Sequence, residues 1–81
     1  MYYIYILKSI KDNKYYIGST SNVERRLAFH NAGWQRSTKH RAPFVLVYKE
    51  CCINRSAAEK REKQIKSYKG GEAFRKLLEG A

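Results

Sequence analysis

The sequence predicts an α+β fold over residues 1–81, a small three-stranded antiparallel sheet flanked by helices in the order β-β-α-β-α-α. Three observations lead to this prediction. Two runs rich in aromatic and β-branched residues surround a polar turn at residues 11–14. A third apolar run follows Pro43, and helix-start signals precede two further segments. Gly70-Gly71 then separates a short third helix, residues 72–78, from the rest of one small domain.

The first two strands form a predicted hairpin. If residues 12–13 are the centre of its turn, Ser9 lies opposite Tyr16. Residues directly opposite each other in an antiparallel pair share a face, so Tyr5 projects from the same side as Tyr16 and Gly18, four positions along the ladder from Tyr16. Two tyrosines on one face indicate either core packing or the floor of a reactive site.

A helix is predicted to begin near Asn22 and to stop near Gly33. Ser21 and Glu24 have the spacing of a capping box, and a glycine is the common residue just after a helix.

At about 100° per residue, Val23 and Leu27 define the buried stripe of this helix, and His30 falls almost on the same line. Arg26 lies at the edge of the stripe, while Arg25 points to the opposite side. Burying an arginine or a histidine is costly unless each has a partner. Arg26 alone could stabilise a carboxylate, and His30 alone could be a satisfied core histidine. Together, beside the tyrosine face, they indicate a site.

A basic loop with one aromatic residue, Trp34, follows at residues 34–41. Such a loop suits phosphate contacts and base stacking, although a merely solvated loop has the same composition. The candidate nucleic-acid-binding residues are cationic side chains in this loop, on the first helix and at the hairpin turn: Lys14, Arg25, Arg36, Lys39, His40 and Arg41.

The third predicted strand, Phe44–Lys49, is nearly continuous in its apolar residues, as expected of a strand covered on both faces. Pro43 at its start removes no ladder hydrogen bond that the strand needs.

The second predicted helix starts with another capping box, Ser56 and Glu59, and runs to residue 68. Ala58 and Ile65 form its apolar stripe, and Glu62 falls between them. A carboxylate on the inward line of a basic helix indicates one of two roles. It is an ion-pair partner, with Arg26 or Arg61 as the partner, or it is a ligand for a divalent metal ion such as Mg²⁺.

The composition points to a polyanionic partner. Seventeen Lys and Arg against seven Asp and Glu give a net charge of +10, which is typical of nucleic-acid-binding domains. No apolar run approaches the ~20 residues of a membrane helix, and binding to a membrane is not expected. The adjacent Cys51 and Cys52 suggest neither a disulfide framework nor a metal site, and no secretory signal opens the chain. A cytoplasmic location is expected.

These pieces resemble the GIY-YIG endonuclease domain. The matching segments, in order, are Tyr3-Ile4-Tyr5, Tyr16-Ile17-Gly18, Arg26, His30 and the helix segment 60–66 that carries Glu62. The resemblance covers nearly the whole chain and is closest to small stand-alone bacterial members, related to the nuclease domain of the excinuclease C subunit.

The resemblance implies roles for five residues. Tyr5 and Tyr16 fall on the motif tyrosines, Arg26 on the family arginine, His30 on a position often occupied by histidine or tyrosine, and Glu62 on the metal-binding glutamate. It also implies hydrolysis of phosphodiester bonds with one divalent cation, Mg²⁺ or Mn²⁺, and no small-molecule cofactor.

Phosphodiester hydrolysis needs an activated water and charge stabilisation on the phosphate and the leaving oxygen. The expected mechanism has Tyr5 or Tyr16 taking the proton of the water and Arg26 binding non-bridging oxygens. Glu62 would hold the metal ion, and His30 would relay a proton or bind phosphate.

The expected function is therefore an endonuclease acting on nucleic acid, on DNA in preference to RNA, in repair or recombination. The chain departs from the family in carrying Tyr3 for the first glycine, Ser19 where some members have lysine, and no asparagine after Asn54. The missing asparagine and the small size of the domain motivate the alternative of a nucleic-acid-binding module with little or no cleavage. A protein-interaction domain is the third hypothesis, and it predicts DNA binding with little salt dependence.

Overall fold

The computed structural model describes residues 1–80, and its elements follow the predicted order. They are β1 (Tyr2–Ser9), β2 (Tyr15–Thr20), α1 (Val23–Asn31), a 3₁₀ turn (Lys39–Arg41), β3 (Phe44–Cys52), α2 (Arg55–Lys66) and α3 (Glu72–Glu79). The three strands form one antiparallel sheet in the order β2-β1-β3. The predicted α+β class is confirmed. Within residues 1–80 no helix is long and apolar enough to cross a membrane.

The central strand is β1, and it is the strand that is buried on both faces. Ile4, Tyr5, Ile6 and Leu7 are consecutive, and each is at most 1% exposed. The expectation that β3 is covered on both faces is wrong, since β3 is an edge strand and two of its apolar residues, Val45 and Leu46, are 42% and 39% exposed. A three-stranded sheet has only one central position, and β1 takes it by pairing with both other strands.

The hairpin register differs from the prediction by two residues. Tyr16 lies opposite Leu7 rather than Ser9, and Tyr5 lies opposite Gly18. A register shift of one residue would have moved every side chain of the strand to the opposite face of the sheet, but a shift of two residues leaves each side chain on its original face. Tyr5 and Tyr16 therefore share a face as predicted, and they are two ladder positions apart instead of four.

The longer turn explains this shift. The Ser9 N–H donates to the Lys14 carbonyl oxygen at 2.9 Å, so four residues lie in the loop between them. Asn13 has a left-handed φ of 60°, a conformation that asparagine tolerates better than most residues. The Ser9 hydroxyl accepts from the backbone N–H of Lys11 and Asp12, which keeps the turn closed.

The two helix starts differ from the predicted capping boxes. Asn22 caps α1 by accepting from the Arg25 N–H at 3.0 Å, and Asn54 caps α2 by accepting from the Ala57 N–H at 2.9 Å. The predicted caps at Ser21 and Ser56 are wrong, because each asparagine has the extended backbone of an N-cap and a side-chain oxygen of suitable reach. Gly33, with φ of 78°, follows α1 as predicted.

The helices cover the two faces of the sheet separately. On one face, α2 and α3 pack on β1 through an aliphatic and aromatic core: Ile4, Ile6, Ala58, Ile65 and Phe74. On the other face, Tyr5 and Leu7 of β1 form a second core cluster with Val23 of α1 and Phe44 at the start of β3. The predicted stripe of Ala58 and Ile65 is thus confirmed as core.

Candidate active site

The side chain of Tyr5 lies across the backbone of Gly18. A Cβ atom at Gly18 would be 2.6 Å from the Tyr5 Oη and 2.7 Å from its Cζ, closer than real Cβ contacts come. Tyr5 is 1% exposed, so its ring has little room to move away. The glycine is therefore required for space, because the tyrosine ring of the central strand occupies the volume of any larger side chain.

His30 connects Tyr5 to the basic loop. Its imidazole is fully buried, with Nε2 3.2 Å from the Tyr5 Oη and Nδ1 2.9 Å from the Thr38 Oγ1. Both ring nitrogens therefore have partners, and the direction of each bond depends on which nitrogen carries the proton. Thr38 is itself buried, and its hydroxyl also donates to the Gln35 carbonyl oxygen at 3.4 Å. The result is a continuous hydrogen-bonded chain, Tyr5–His30–Thr38.

Thr38 was not among the residues predicted from the sequence. It lies in a basic loop, eight positions after His30, and no periodicity relates the two. The only signal was indirect: a histidine predicted to point inward needs a partner for each ring nitrogen.

Tyr16 lies beside this chain and is only half-buried. Its ring centroid is 4.7 Å from that of His30 and 6.2 Å from that of Tyr5. Of the two motif tyrosines, Tyr16 is thus the one that reaches the surface.

Arg26 lies one helical turn before His30, and its charge acts on both buried groups. Burial raises the pKa of Tyr5 to about 12, and hydrogen bonding and charge from Arg26 limit this rise. Burial also lowers the pKa of His30, and the positive charge of Arg26 lowers it further. Tyr5 and His30 are consequently both neutral near pH 7, while Arg26 supplies the positive charge of the cluster.

Glu62 approaches the cluster from the other layer, because α2 packs on the opposite face of the sheet. The negative charge of Glu62 contributes to the raised pKa of Tyr5, although more weakly than burial does. The carboxylate therefore lies within electrostatic range of Tyr5. The side chain is 20% exposed, and its Oε2 lies 2.6 Å from the Lys66 Nζ. The predicted ion pair with Arg26 or Arg61 is therefore wrong: the partner is a lysine one turn along the same helix.

Arg61 instead ties α2 to the sheet. Its Nε lies 2.9 Å from the Glu50 Oε2 and its Nη2 3.2 Å from the Glu50 Oε1, a two-bond contact. The Tyr48 hydroxyl donates to the same carboxylate at 2.6 Å. This cluster, next in sequence to Glu62, holds the register of α2 on β3.

The donor set fits Mg²⁺ bound by one protein carboxylate. Mg²⁺ is commonly held by one or two carboxylates, with waters and substrate phosphates completing its octahedron. Glu62 offers a partly exposed carboxylate for that purpose. In the part of the chain that the structure describes, no three His, Cys, Asp or Glu side chains come together, so an all-protein cage is not built there.

The predicted nucleic-acid-binding residues divide into two groups. Lys14, Arg25, Arg36, Lys39 and His40 are exposed. Arg41 differs, since its Nε lies 3.2 Å from the Asp12 Oδ2 and its Nη2 donates to the Tyr15 carbonyl oxygen at 3.3 Å. Arg41 thus ties the basic loop to the hairpin turn, and the loop keeps its other cations at the surface.

Comparison with known proteins agrees with this arrangement. A family model described as the GIY-YIG catalytic domain matches residues 1–73. A UPF0213 protein of Staphylococcus haemolyticus is 50% identical over 68 residues, covering 83% of this chain and 82% of that protein. A UPF0213 protein of Haloquadratum walsbyi is 47% identical over 68 residues, covering 83% and 75%.

A solved structure is also similar. The solution NMR structure of a UPF0213 protein from Bacillus halodurans superposes with a TM-score of 0.54 at 30% identity, covering 99% of this chain and 84% of that chain. The family model and these relatives together span the sheet, α1 and α2. The chain belongs to the GIY-YIG family, among relatives that are small UPF0213 proteins.

Proposed function

We propose that this protein is a divalent-metal-dependent endonuclease that hydrolyses phosphodiester bonds in DNA, in repair or recombination. The observation that carries the proposal is the cluster of Tyr5, Tyr16, Arg26 and His30 on one face of the sheet, in which a buried hydrogen-bonded chain lies beside an arginine and a surface tyrosine. The match of residues 1–73 to the GIY-YIG catalytic domain supports the proposal.

Arg26 has the role of binding the phosphate. A guanidinium presents two parallel N–H donors that match the non-bridging oxygens of a phosphate, and its charge stabilises the additional negative charge of the transition state. Arg26 is half-buried and acts electrostatically on Tyr5, which suits contact with a phosphodiester at this face.

Tyr16, in the form that has lost its hydroxyl proton to solvent, is the better candidate for the group that takes a proton from the attacking water. Tyr5 is almost fully buried, its hydroxyl contacts His30 at 3.2 Å, and its pKa is raised to about 12, so it is a poor proton acceptor in the free protein. Tyr16 reaches the surface beside the same imidazole. A general base must come within hydrogen-bond reach of its water, and of the two tyrosines only the half-buried Tyr16 meets this condition without rearrangement.

The Tyr5–His30–Thr38 chain has a positioning role. It fixes the His30 ring against Tyr16 and holds α1, and therefore Arg26, at a defined distance from the sheet. Such support from buried hydrogen bonds keeps reacting groups in productive geometry.

Glu62 would hold the metal ion, Mg²⁺ or Mn²⁺. When bound, the ion supplies positive charge for the leaving oxygen and the phosphate. The pair with Lys66 does not prevent this role, because Lys66 is 52% exposed and exposed ion pairs contribute only ~0–1 kcal/mol.

The test is a cleavage screen over duplex, branched and single-stranded DNA and RNA, with Mg²⁺ or Mn²⁺. Glu62→Gln should reduce metal-dependent nicking about 100-fold or more, since the ion contributes several kcal/mol to transition-state stabilisation. The variant should still bind nucleic acid with a strong salt dependence.

Glu59→Gln is the matched control, because Glu59 is on the same helix and exposed, and it should cleave like wild type. Wild type that cuts none of these substrates with either metal would end the nuclease proposal.

A binding module without efficient cleavage is the second candidate. One oxygen of the Glu62 carboxylate contacts Lys66 at 2.6 Å, so a metal ion would have to displace this contact, and this observation motivates the second candidate. It predicts salt-sensitive binding by wild type and by Glu62→Gln alike, with no metal-dependent products from either.

A further inference from the structure

Besides the candidate active site, the protein has a concave surface on the outer side of α1, away from the sheet. It is a cleft of about 380 Å³ lined by Arg25, Ala28, Phe29, Ala32 and Trp34. This volume is within the range of roughly 300–1,000 Å³ that is usual for small-ligand sites. Nothing in the proposed catalytic roles uses the cleft.

The walls of the cleft are aromatic and apolar. Trp34 is 73% exposed, and its ring stands edge-on to that of Phe29 at a centroid distance of 5.9 Å. Ala28 and Ala32 line the cleft from α1 and leave space beside the indole because their side chains are small. A flat ring could therefore lie against Trp34 and Phe29 at once.

The surroundings of the cleft are cationic. Arg25 is part of its lining, and the Arg26 guanidinium packs over the Phe29 ring at 4.6 Å. Arg36 and Lys39 are exposed in the loop that follows, and Glu24 is the one acidic residue in the segment 23–41. An apolar slot surrounded by positive charge matches a ligand with a flat apolar ring attached to an anion. A nucleotide has this combination, whereas an apolar protein or lipid surface does not need the cations.

The cleft is linked to the candidate active site through Arg26, which packs on a ring of its lining. Arg26 acts electrostatically on Tyr5 on one side and packs on Phe29 on the other. The Phe29 and His30 rings are 5.9 Å apart. A nucleotide whose phosphate contacts Arg26 is therefore placed with its base, or the neighbouring base, next to the cleft.

We propose that the cleft between α1 and Trp34 binds an unstacked nucleobase of the substrate, next to the phosphate that Arg26 holds. This inference rests on the proposed function in one respect, that the ligand of the protein is nucleic acid. It specifies the substrate class: nucleic acid with at least one unpaired nucleotide at the cleavage position, as in a single strand, a bulge or a branch. A fully paired duplex would first have to release a base from its stack.

Trp34 provides a direct probe because it is the only tryptophan in the chain. Its fluorescence should be quenched when wild type binds a short single-stranded DNA or RNA oligonucleotide, or a duplex with one bulged base. A blunt, fully paired duplex should quench less at equal occupancy. Replacing the bulged nucleotide by an abasic residue should remove most of the quenching while phosphate contacts remain.

Variants separate stacking from charge. Trp34→Ala should weaken single-strand binding roughly 5- to 150-fold, the range for loss of one stacked base, and Trp34→Phe should restore most of it. Because Trp34 is exposed, neither change is expected to unfold the protein. Arg36→Ala is the control for charge: it should weaken single-strand and duplex binding alike and lower the salt slope by about 1, with the quenching amplitude unchanged.

Either of two kinds of result would overturn the inference, one from nucleic-acid binding and one from the protein alone. The first is unchanged single-strand affinity in Trp34→Ala, or equal quenching by abasic and intact bulges. The second is a Trp34 emission change that depends on protein concentration without nucleic acid, which would identify the cleft as an interface between copies. Failure of the nuclease proposal looks different, since quenching would persist while no substrate is cut.

Discussion

The two faces of β1 are both buried, yet they are built from different chemistry. On the face of α2 and α3, Ile4 and Ile6 meet Ala58, Ile65 and Phe74, so the contacts are almost entirely hydrocarbon. On the face of α1, Leu7 packs with Val23 and Phe44 in a smaller apolar cluster. Tyr5 on the same face begins the buried polar chain Tyr5–His30–Thr38.

The difference separates an almost entirely apolar face from a face that also carries buried polar groups. Hydrocarbon packing is non-directional and roughly proportional to the area removed from water, so it tolerates changes that keep volume. Buried polar groups contribute little net energy when satisfied and cost much when a partner is lost. Among the described residues every buried side-chain nitrogen and oxygen has a partner, so the polar face is complete and correspondingly sensitive.

The largest stability effect is expected from the hydrocarbon face. Ile6→Ala should lower the free energy of unfolding by about 2–5 kcal/mol, because the side chain is fully buried and its loss leaves a cavity. Ile53→Ala is the matched control, since Ile53 is 81% exposed, and should change it by less than ~0.5 kcal/mol. Urea denaturation measures both. Cleavage per folded molecule should be kept in Ile6→Ala at low temperature, and a selective loss of activity would break the proposed division between the faces.

The second prediction concerns the close approach of Gly18 to Tyr5. Gly18→Ala should destabilise by about 1–3 kcal/mol, because a methyl group 2.6 Å from the Tyr5 hydroxyl forces the ring from its place. Gly80→Ala should have a far smaller effect, since its nearest neighbour would be 3.6 Å away. Denaturation and the NMR shifts of the His30 ring report the change. Unaltered His30 shifts in Gly18→Ala would show that Tyr5 is not displaced.

The third prediction tests the partner of His30 in the basic loop. Thr38→Val keeps the shape but removes the hydroxyl 2.9 Å from the His30 Nδ1, so it should destabilise by about 1–3 kcal/mol. Thr38→Ser should recover most of this loss. Thermal unfolding and the tautomer of His30, read from its ring nitrogens by NMR, are the measurements. A purely steric role for Thr38 would instead be indicated if valine were tolerated better than serine.

The smallest effect is a pH dependence of stability that arises from the buried imidazole. The pKa of His30 is lowered from its ordinary 6.5, so below pH 6.5 the unfolded chain takes up a proton that the native protein does not. The free energy of unfolding should therefore fall as the pH falls through this window, by at most about 1.4 kcal/mol per pH unit. The pKa of Glu50 is also lowered, and protonation of this group in the unfolded chain decreases the free energy of unfolding further only below its ordinary value of 4.5.

Two substitutions isolate this titration. His30→Gln should remove the decline between pH 6.5 and 4.5, whereas His40→Gln should retain it because His40 is exposed. Urea unfolding at several pH values is the measurement. The same decline in both variants would assign it to other groups.

Much of the fold could be predicted because its signals are local. The aromatic and β-branched runs of β1 and β2, the apolar stripe of α2 at Ala58 and Ile65, and the break at Gly33 each follow from neighbours within a few residues. The shared face of Tyr5 and Tyr16 was also predicted correctly, since parity survives a two-residue change of register. The roles of the candidate site residues remain predictions.

Local sequence signals were enough to predict which segments become strands and helices and which residues are candidates for the site, because backbone propensity and side-chain period act over short distances. The tertiary structure decided which strand is central, how far Tyr16 lies from Tyr5, that Lys66 pairs with Glu62, and that Thr38 completes the bonds of His30. These outcomes depend on turn geometry and on competition among many distant partners for one buried position, and no local pattern records that competition.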